Sequence, residues 1–328
     1  MTLSFELKSL LELAQENNTF ITKYCQIFKV KKYSSIKVRN SKNPNNERLK
    51  LIEEQGKYKK IQEKGLVRNT IDKFYTSTKI VDKCINYIKQ KVSINNNDLV
   101  IEPSAGNGSF INGIKKIACN YKFYDIEPEN DSIIKQDYLN FTIKNIPDNE
   151  CYKKIHVIGN PPFGRQSSLA IKFIKTSCEF CNTLSFILPK SFKKESLKKH
   201  FPLNFHLLFE YDLPDDSFIV NDKKYNVPCV FQIWEKKETN RKKQVKLEPK
   251  NFKFVKQNEN PDISFRRVGV YAGKISKEIE NKSKQSHYFI KFNNKQNNIN
   301  KLINISFKSK NHTVGPKSIS KQELIKEF

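Results

Sequence analysis

The sequence predicts an α/β fold: a mostly parallel sheet flanked by helices, followed by a basic extension with short strands. Three observations predict it. Between about residues 79 and 234, short apolar runs of strand character alternate with stretches of helical period. One of those strands, in LVIEPSAGNGSF, runs through a glycine-containing turn into a helix, the step from which parallel sheets are built. Beyond Lys236 the chain turns basic and polar and keeps only short strand-like pieces.

Taken in order, residues 3–30 place Leu3, Leu7, Leu10, Leu11 and Ala14 near helical spacing, which predicts a short amphipathic helix. Residues 31–67 are rich in Lys, Asn and Glu without a sustained apolar period, as in a solvated arm. A helix over Lys79–Gln90 gathers Ile80, Cys84, Tyr87 and Ile88 on one face. Leu99–Ile101 reads as a strand, Phe110–Ile117 as a helix, and Lys122–Asp125 and Ile155–Ile158 as two further strands. Leu169–Phe180 is helical in period, Leu184–Leu188 is a short buried strand, and VPCVFQIW (Val227–Trp234) closes the core. Phe265–Tyr271 and Tyr288–Phe292 are the strand-like pieces of the extension. Three regions result: a helix and polar basic arm over 1–67, an α/β domain over 68–238, and a basic region over 239–328. No internal repeat is visible.

Composition excludes some classes. The chain has 328 residues, 37% of them hydrophobic, and no run approaching the roughly 20 apolar residues of a membrane span. The opening MTLSFELKSL shows no basic stretch leading into an apolar one, so no secretory leader is expected. The seven cysteines are scattered and odd in number, unlike a disulfide framework, and point to an intracellular, reducing compartment, cytoplasmic or nuclear. Cys178 and Cys181 form a lone CxxC with no second pair at ligand spacing, so no metal site is expected. The net charge is +26, with 53 Lys but only 7 Arg, and 35 Asn beside them. A Lys/Asn excess is what A+T-rich codons produce, so the distribution says more than the sum. Residues 240–328 carry 21 basic and 7 acidic side chains, over half of the excess, which favours a polyanionic partner.

Two motifs carry chemistry. In LVIEPSAGNGSF an apolar strand ends in Glu102, turns through Gly106 and Gly108, and opens a helix. Glycines allow close backbone approach, and the carboxyl end of a parallel strand is where open α/β sheets bind nucleotides. The pattern is neither GxGxxG nor a P-loop. In VIGNPPFG a strand runs into Asn160, Pro161, Pro162 and Phe163. Two prolines stiffen the backbone and remove two donors, Asn160 offers an amide oxygen, and Phe163 offers a ring face. Together they form a receptor for a planar group that bears an NH2.

With these motifs in this order the sequence resembles the S-adenosylmethionine-dependent amino-methyltransferases of the N6-adenine type, over roughly residues 69–235. The resemblance implies a Rossmann-like methyltransferase core, S-adenosylmethionine as cofactor, and NPPF as the catalytic motif. It implies that Phe74, Tyr75 and Thr76 line the methionine part of the cofactor, although FYTS departs from the commoner Phe-x-Thr-Pro. Glu102 falls where the family places a carboxylate near the methionine amine, within the cofactor motif that includes Ser104, Gly106 and Gly108. Asp125 matches the ribose ligand, with Glu127 as its rival, and Asp137 matches the partner of the cofactor's adenine, with Tyr138 beside it.

The implied reaction is methyl transfer to the N6 amine of adenine in DNA or RNA. Asn160 Oδ1 and the Pro161 carbonyl would accept the two amine hydrogens, and Phe163 would stack on a flipped-out base. Arg165 would touch the flanking phosphate, and Arg266 and Arg267 would read phosphate or guanine edges from the basic region. Tyr288, Phe289 and Phe292, interleaved with Lys291, are compatible with either stacking or a small sheet's own core. Two other functions compete: N-methylation of an amide or amine in a protein or other acceptor, and nucleic-acid binding by a methyltransferase fold without activity.

Overall fold

The computed structural model describes residues 74–146, 152–220 and 223–328. The sequence-predicted N-terminal helix and the arm of region 1–67 lie outside the described residues, which all belong to one compact unit, Arg68–Phe328. Its elements begin with β1 (Tyr75–Thr76), α1 (Thr78–Lys91), β2 (Leu99–Glu102), α2 (Ile111–Lys115), β3 (Asn120–Asp125) and β4 (Ile134–Lys135). Then come β5 (Ile155–Gly159), α3 (Ser168–Phe180), β6 (Thr183–Pro189), α4 (Glu195–Lys198) and β7 (Phe205–Asp212). A small hairpin, β8 (Phe218–Val220) and β9 (Lys223–Tyr225), precedes β10 (Cys229–Lys236). The remainder holds β11 (Phe252–Val255), β12 (Ile263–Arg266), β13 (Ile275–Ser276), β14 (His287–Phe292), α5 (Lys295–Ile303) and α6 (Lys321–Glu327).

A seven-stranded sheet in the order β4-β3-β2-β5-β6-β10-β7 forms the centre. Its first five strands run parallel, and β10 inserts antiparallel between β6 and β7. Alternation within each strand supplies two hydrophobic layers, because successive side chains point to opposite faces. Leu99, Ile101 and Val157 face the layer under α3, with Phe173 and Ile174, whereas Val100 and Ile158 face α1 and α2, with Ile85 and Ile114. In α1 the buried Ile80, Val81, Cys84, Ile85 and Ile88 recur at helical spacing, and Lys89 and Lys91 in the last turn suit the negative end of the helix dipole. Each such side chain contributes roughly 1.5–3 kcal/mol before the entropy of ordering it.

The sequence-predicted strands and helices of the core appear within a few residues of their expected ends, and the helix expected over 110–117 is regular over Ile111–Lys115. The sequence pattern does not mark β1, β4, β7, β8, β9, β11 or β13. Within β7 most residues of FHLLFEYD are half-buried, so neither a clean alternation nor a solid apolar run marks it.

Residues 252–292 form a separate four-stranded antiparallel sheet, β11-β14-β12-β13, with its own core of Phe252, Ile263, Phe265, Ile290, Leu302 and Leu324. The piece expected to be extended over 265–271 leaves the sheet at Arg266 and becomes a turn. This sheet is tied to the larger one. The connection after β10 is fastened to the large sheet by Arg241, which donates to the carbonyls of Phe201 and Phe205 and lies 5.2 Å from the Trp234 ring. Lys194 pairs with Glu323 at 3.1 Å.

Candidate active site

The parallel strands leave β2 in two directions: towards β3 and β4 on one side, then back across to β5 on the other. Open α/β sheets place their crevice at the carboxyl ends of the two strands flanking such a reversal. A cavity of about 390 Å³ lies there. Glu102, Ser104, Ala105 and Gly106 after β2, Asp125, Ile126 and Glu127 after β3, and Asn160 and Pro162 after β5 line it. Phe74, Tyr75, Thr76, Asp137 and Tyr138 complete the polar and aromatic wall, and Phe110, Leu169 and Phe173 form its apolar floor.

Three of the six buried side-chain polar atoms that lack a hydrogen-bond partner among the described residues belong to this wall: Thr76 Oγ1, Glu102 Oε2 and Asn160 Oδ1. Buried polar atoms without partners are costly, and their convergence on one cavity marks a place made for a polar ligand. Asn160 is held for that purpose. Its Nδ2 donates to the Phe74 carbonyl at 2.9 Å, so the amide cannot turn its oxygen away. The Ser104 hydroxyl donates to the Asn160 carbonyl at 3.3 Å and ties the glycine turn to NPPF. Glu102 is only 2% exposed. Burial, and secondarily the charge of Asp125, pushes its carboxyl up to about 8.

The acidic strand ends already serve the loop. Asp125 accepts from the backbone N–H of Gly106 and of Glu127, both at 2.8 Å, one at each carboxylate oxygen. Each oxygen has a further lone pair for a ligand. Asp137 accepts from Leu139 N–H at 3.0 Å and from Asn140 Nδ2 at 2.8 Å, capping a short 3-10 turn over Tyr138–Asn140. Gly106 has φ +55°, and a Cβ on it would meet the Tyr75 ring at 3.3 Å. Tyr75 in turn donates to Glu129 at 2.6 Å, and β1 pairs with β8, so this strand is fastened across the glycine turn at both ends.

Several sequence-predicted residues lie elsewhere. Gly108 is outside the cavity, in a turn where a Cβ would strike Ile111 at 2.7 Å, so it serves the loop's packing. Tyr138 contributes a ring face to the wall, but its hydroxyl bonds Ser177 at 3.0 Å and its ring stacks on Phe141 and Phe173 in the core. Pro161 is buried and does not line the cavity. Phe163 is half-buried against both hydrophobic layers, and its carbonyl accepts from Leu169 and Ala170 at the start of α3. Arg165 is exposed in the 3-10 turn that follows, beside Gln166 and Ser167, which both have positive φ. Arg266 and Arg267 each spend a donor within the fold. Arg266 Nε donates to the Val268 carbonyl, and Arg267 donates to the Gln285 carbonyl and lies over Tyr288. Phe292 is buried in the small sheet's core, and Phe289, on the other face of β14, is buried as well.

Sequence reasoning missed the Phe74 carbonyl, since a backbone acceptor has no signature in the sequence. It also missed Ile126, which is 57% exposed yet lines the cavity. An isolated apolar residue between two acids was the available signal. Among the described residues no cluster of His, Cys, Asp or Glu could hold a metal, and no helix is long and apolar enough to cross a membrane.

Residues 94–248 match the family model of the EDM2 methyltransferase-like domain, a stretch that runs from just before β2 to beyond β10 and includes both motifs. Among solved structures the chain is similar to a candidate RNA methyltransferase from Pyrococcus horikoshii, at 13% identity and a TM-score of 0.40, over 51% of this chain and 87% of that one. It is similar to the 23S rRNA methyltransferase ErmE at 12% identity and a TM-score of 0.38, over 52% and 72% of the two chains. A type I restriction-modification methyltransferase subunit from Streptococcus thermophilus shows 13% identity and a TM-score of 0.38, over 51% and 46%. No curated protein sequence matches the chain. The part of the chain that builds the large sheet and most of the cavity is thus similar to a methyltransferase-like domain.

Proposed function

We propose that the protein transfers a methyl group from S-adenosylmethionine to the N6 amine of adenine in a nucleic acid, DNA or RNA. The observation that carries this reading is Asn160: its amide nitrogen is pinned by the Phe74 carbonyl, and its oxygen is buried at the cavity without a protein partner. An acceptor held in this way suits a planar NH2, whose lone pair is delocalised into its ring until its hydrogens are drawn out of plane.

The residues present fit the cofactor. Glu102 would take its ammonium, and the Thr76 hydroxyl would donate to its carboxylate, which answers two of the unpartnered atoms. Asp125 or Glu127 would hold the ribose hydroxyls, Asp137 the adenine amine, and Ile126, Leu139 and Phe173 the ring faces. When bound, the cofactor supplies an electrophilic methyl on a sulfonium. The chain's own contribution is position: Asn160 Oδ1 orients the amine, and no strong base is required. The basic region 239–328 acts as the nucleic-acid contact, and in this reading its lysines carry the charge while its arginines brace the structure.

The test is transfer of labelled methyl from S-adenosylmethionine to DNA, RNA, cap-bearing RNA and protein, with Gly106→Val as the control that fills the cavity. Label in the N6-methyladenine of a nucleic acid, lost in the variant, is expected. Label in protein alone, or none in any acceptor by a protein that binds the cofactor, would refute the proposal.

A further inference from the structure

The small basic sheet carries an aromatic ring to which the reading above gives no task. β12 ends at Arg266, and the chain turns through Arg267–Lys274 before β13. That turn is held tightly. Gly273 N–H donates to the Arg266 carbonyl and Arg266 N–H to the Lys274 carbonyl, both at 2.8 Å. Ala272 N–H donates to Gly269 and Lys274 N–H to Tyr271, both at 3.0 Å. Gly269 and Gly273 form its corners at φ of 99° and 97°. From outside, Arg266 caps the Val268 carbonyl, Val268 bridges to Ser318, and Gly269 N–H reaches the Lys317 carbonyl.

At the tip of this ordered loop Val270 is 80% and Tyr271 68% exposed. A single exposed apolar residue is ordinary, but here two adjacent ones are held out by a loop whose hydrogen bonds and arginines fix its shape. The surroundings select the partner. Lys274 lies 5.7 Å from the Tyr271 ring, Lys317 is exposed next to the bridging Ser318, and residues 240–328 carry 21 basic against 7 acidic side chains. The loop also connects to the edge that holds the cavity. Ser318, its bridging partner, accepts from Lys194 at 2.8 Å, and Lys194 follows β6 at the carboxyl end of the large sheet. The other aromatics of the small sheet are not available: Phe289 and Phe292 are buried, and Tyr288 is covered by Arg267 and Lys321.

We propose that Tyr271 is a stacking platform for an unpaired base of a single-stranded nucleic acid, with Val270 beside it and the neighbouring lysines on the phosphates. The inference rests on the acceptor being a nucleic acid. Lysines alone would hold any polyanion, and the ring adds a preference for strands that carry bases.

Fluorescence anisotropy with the full chain tests it, using labelled oligoadenylate and an abasic strand of the same length. The variants are Tyr271→Ala and Tyr271→Phe, each checked for unchanged cofactor binding. The wild type should bind the base-bearing strand about ten-fold more tightly than the abasic one. Tyr271→Ala should lose that preference while keeping its abasic affinity, and Tyr271→Phe should retain it. An unchanged preference in Tyr271→Ala, or tight binding to duplex alone, overturns the platform and leaves the acceptor reading standing. A wild type that binds no strand at all overturns both.

Discussion

Glu102→Gln should make the protein more heat-stable at pH 8 and weaken its hold on a cationic ligand. The Glu102 carboxyl is 2% exposed, one of its oxygens lacks a protein partner, and Asp125 adds a like charge, so the group titrates near pH 8 in the folded protein. In the unfolded chain it titrates near 4.3. Because the folded value is the higher one, the unfolded state releases its proton first. Stability is therefore undiminished below about pH 4 and falls as the pH climbs towards 8. A gap of between three and four pH units, at about 1.4 kcal/mol each, amounts to about 4–5 kcal/mol relative to a neutral isostere. For a folded unit of this size that corresponds to on the order of 10 °C in melting temperature. Thermal melts of both proteins from pH 5 to 9 should lie closest together at pH 5, diverge steadily, and run parallel above pH 8. The ligand side is measured separately. At pH 7 the wild type should release close to one proton on binding S-adenosylmethionine, read by calorimetry in buffers of different ionisation heat, and the variant none. Melting curves that stay parallel over the whole range would refute the burial argument, and equal proton release would refute the ammonium assignment.

Asn160→Ala should leave cofactor affinity intact and lower methyl transfer by on the order of 10² or more, as the loss of one positioned hydrogen bond does; near wild-type turnover at saturating cofactor would remove the catalytic assignment. Phe163→Ala should lose about 2 kcal/mol of stability in urea titrations, since its ring packs against both hydrophobic layers; an unchanged midpoint would return Phe163 to a purely stacking role. Ile126→Asp should weaken S-adenosylmethionine roughly ten-fold with no change in the melting temperature of the protein alone, because the side chain lines the cavity while 57% exposed; calorimetry beside a melt separates the two. In His156, burial pushes the imidazole below its usual range more than Asp98, 3.3 Å away, raises it. The unfolded state therefore takes up a proton first as the pH drops below about 6.5, and stability is lost in acid. His156→Gln should flatten that limb between pH 7 and 5 in urea titrations, and an equally steep limb in the variant would place the acid sensitivity elsewhere.

Period and turn chemistry are local properties, and the sequence by itself determined what depends on them. Ile80, Cys84 and Ile88 announce α1, and Leu99–Ile101 with Val157–Ile158 announce strands that the two motifs terminate. Because both motifs sit at strand ends, their placement at the carboxyl edge follows from a parallel sheet alone, whereas the grouping of Glu102, Gly106, Asp125 and Asn160 on one cavity needs β3, β2 and β5 side by side. The strand order was not written locally. The insertion of β10 between β6 and β7 rests on pairings such as Val230 with Leu188 and Asp212, contacts between segments far apart in the chain. The finer features of the site depend on the same kind of contact. The Phe74 carbonyl that fixes Asn160 comes from 86 residues upstream. Whether an arginine meets a partner or its own backbone is equally a tertiary matter: Arg266 and Arg267 find carbonyls within the fold, and the residue left exposed is Tyr271, which composition alone does not distinguish from its buried neighbours. A side chain's type limits what it can bind, but which of its possible partners it reaches is decided by chain segments that only folding brings beside it.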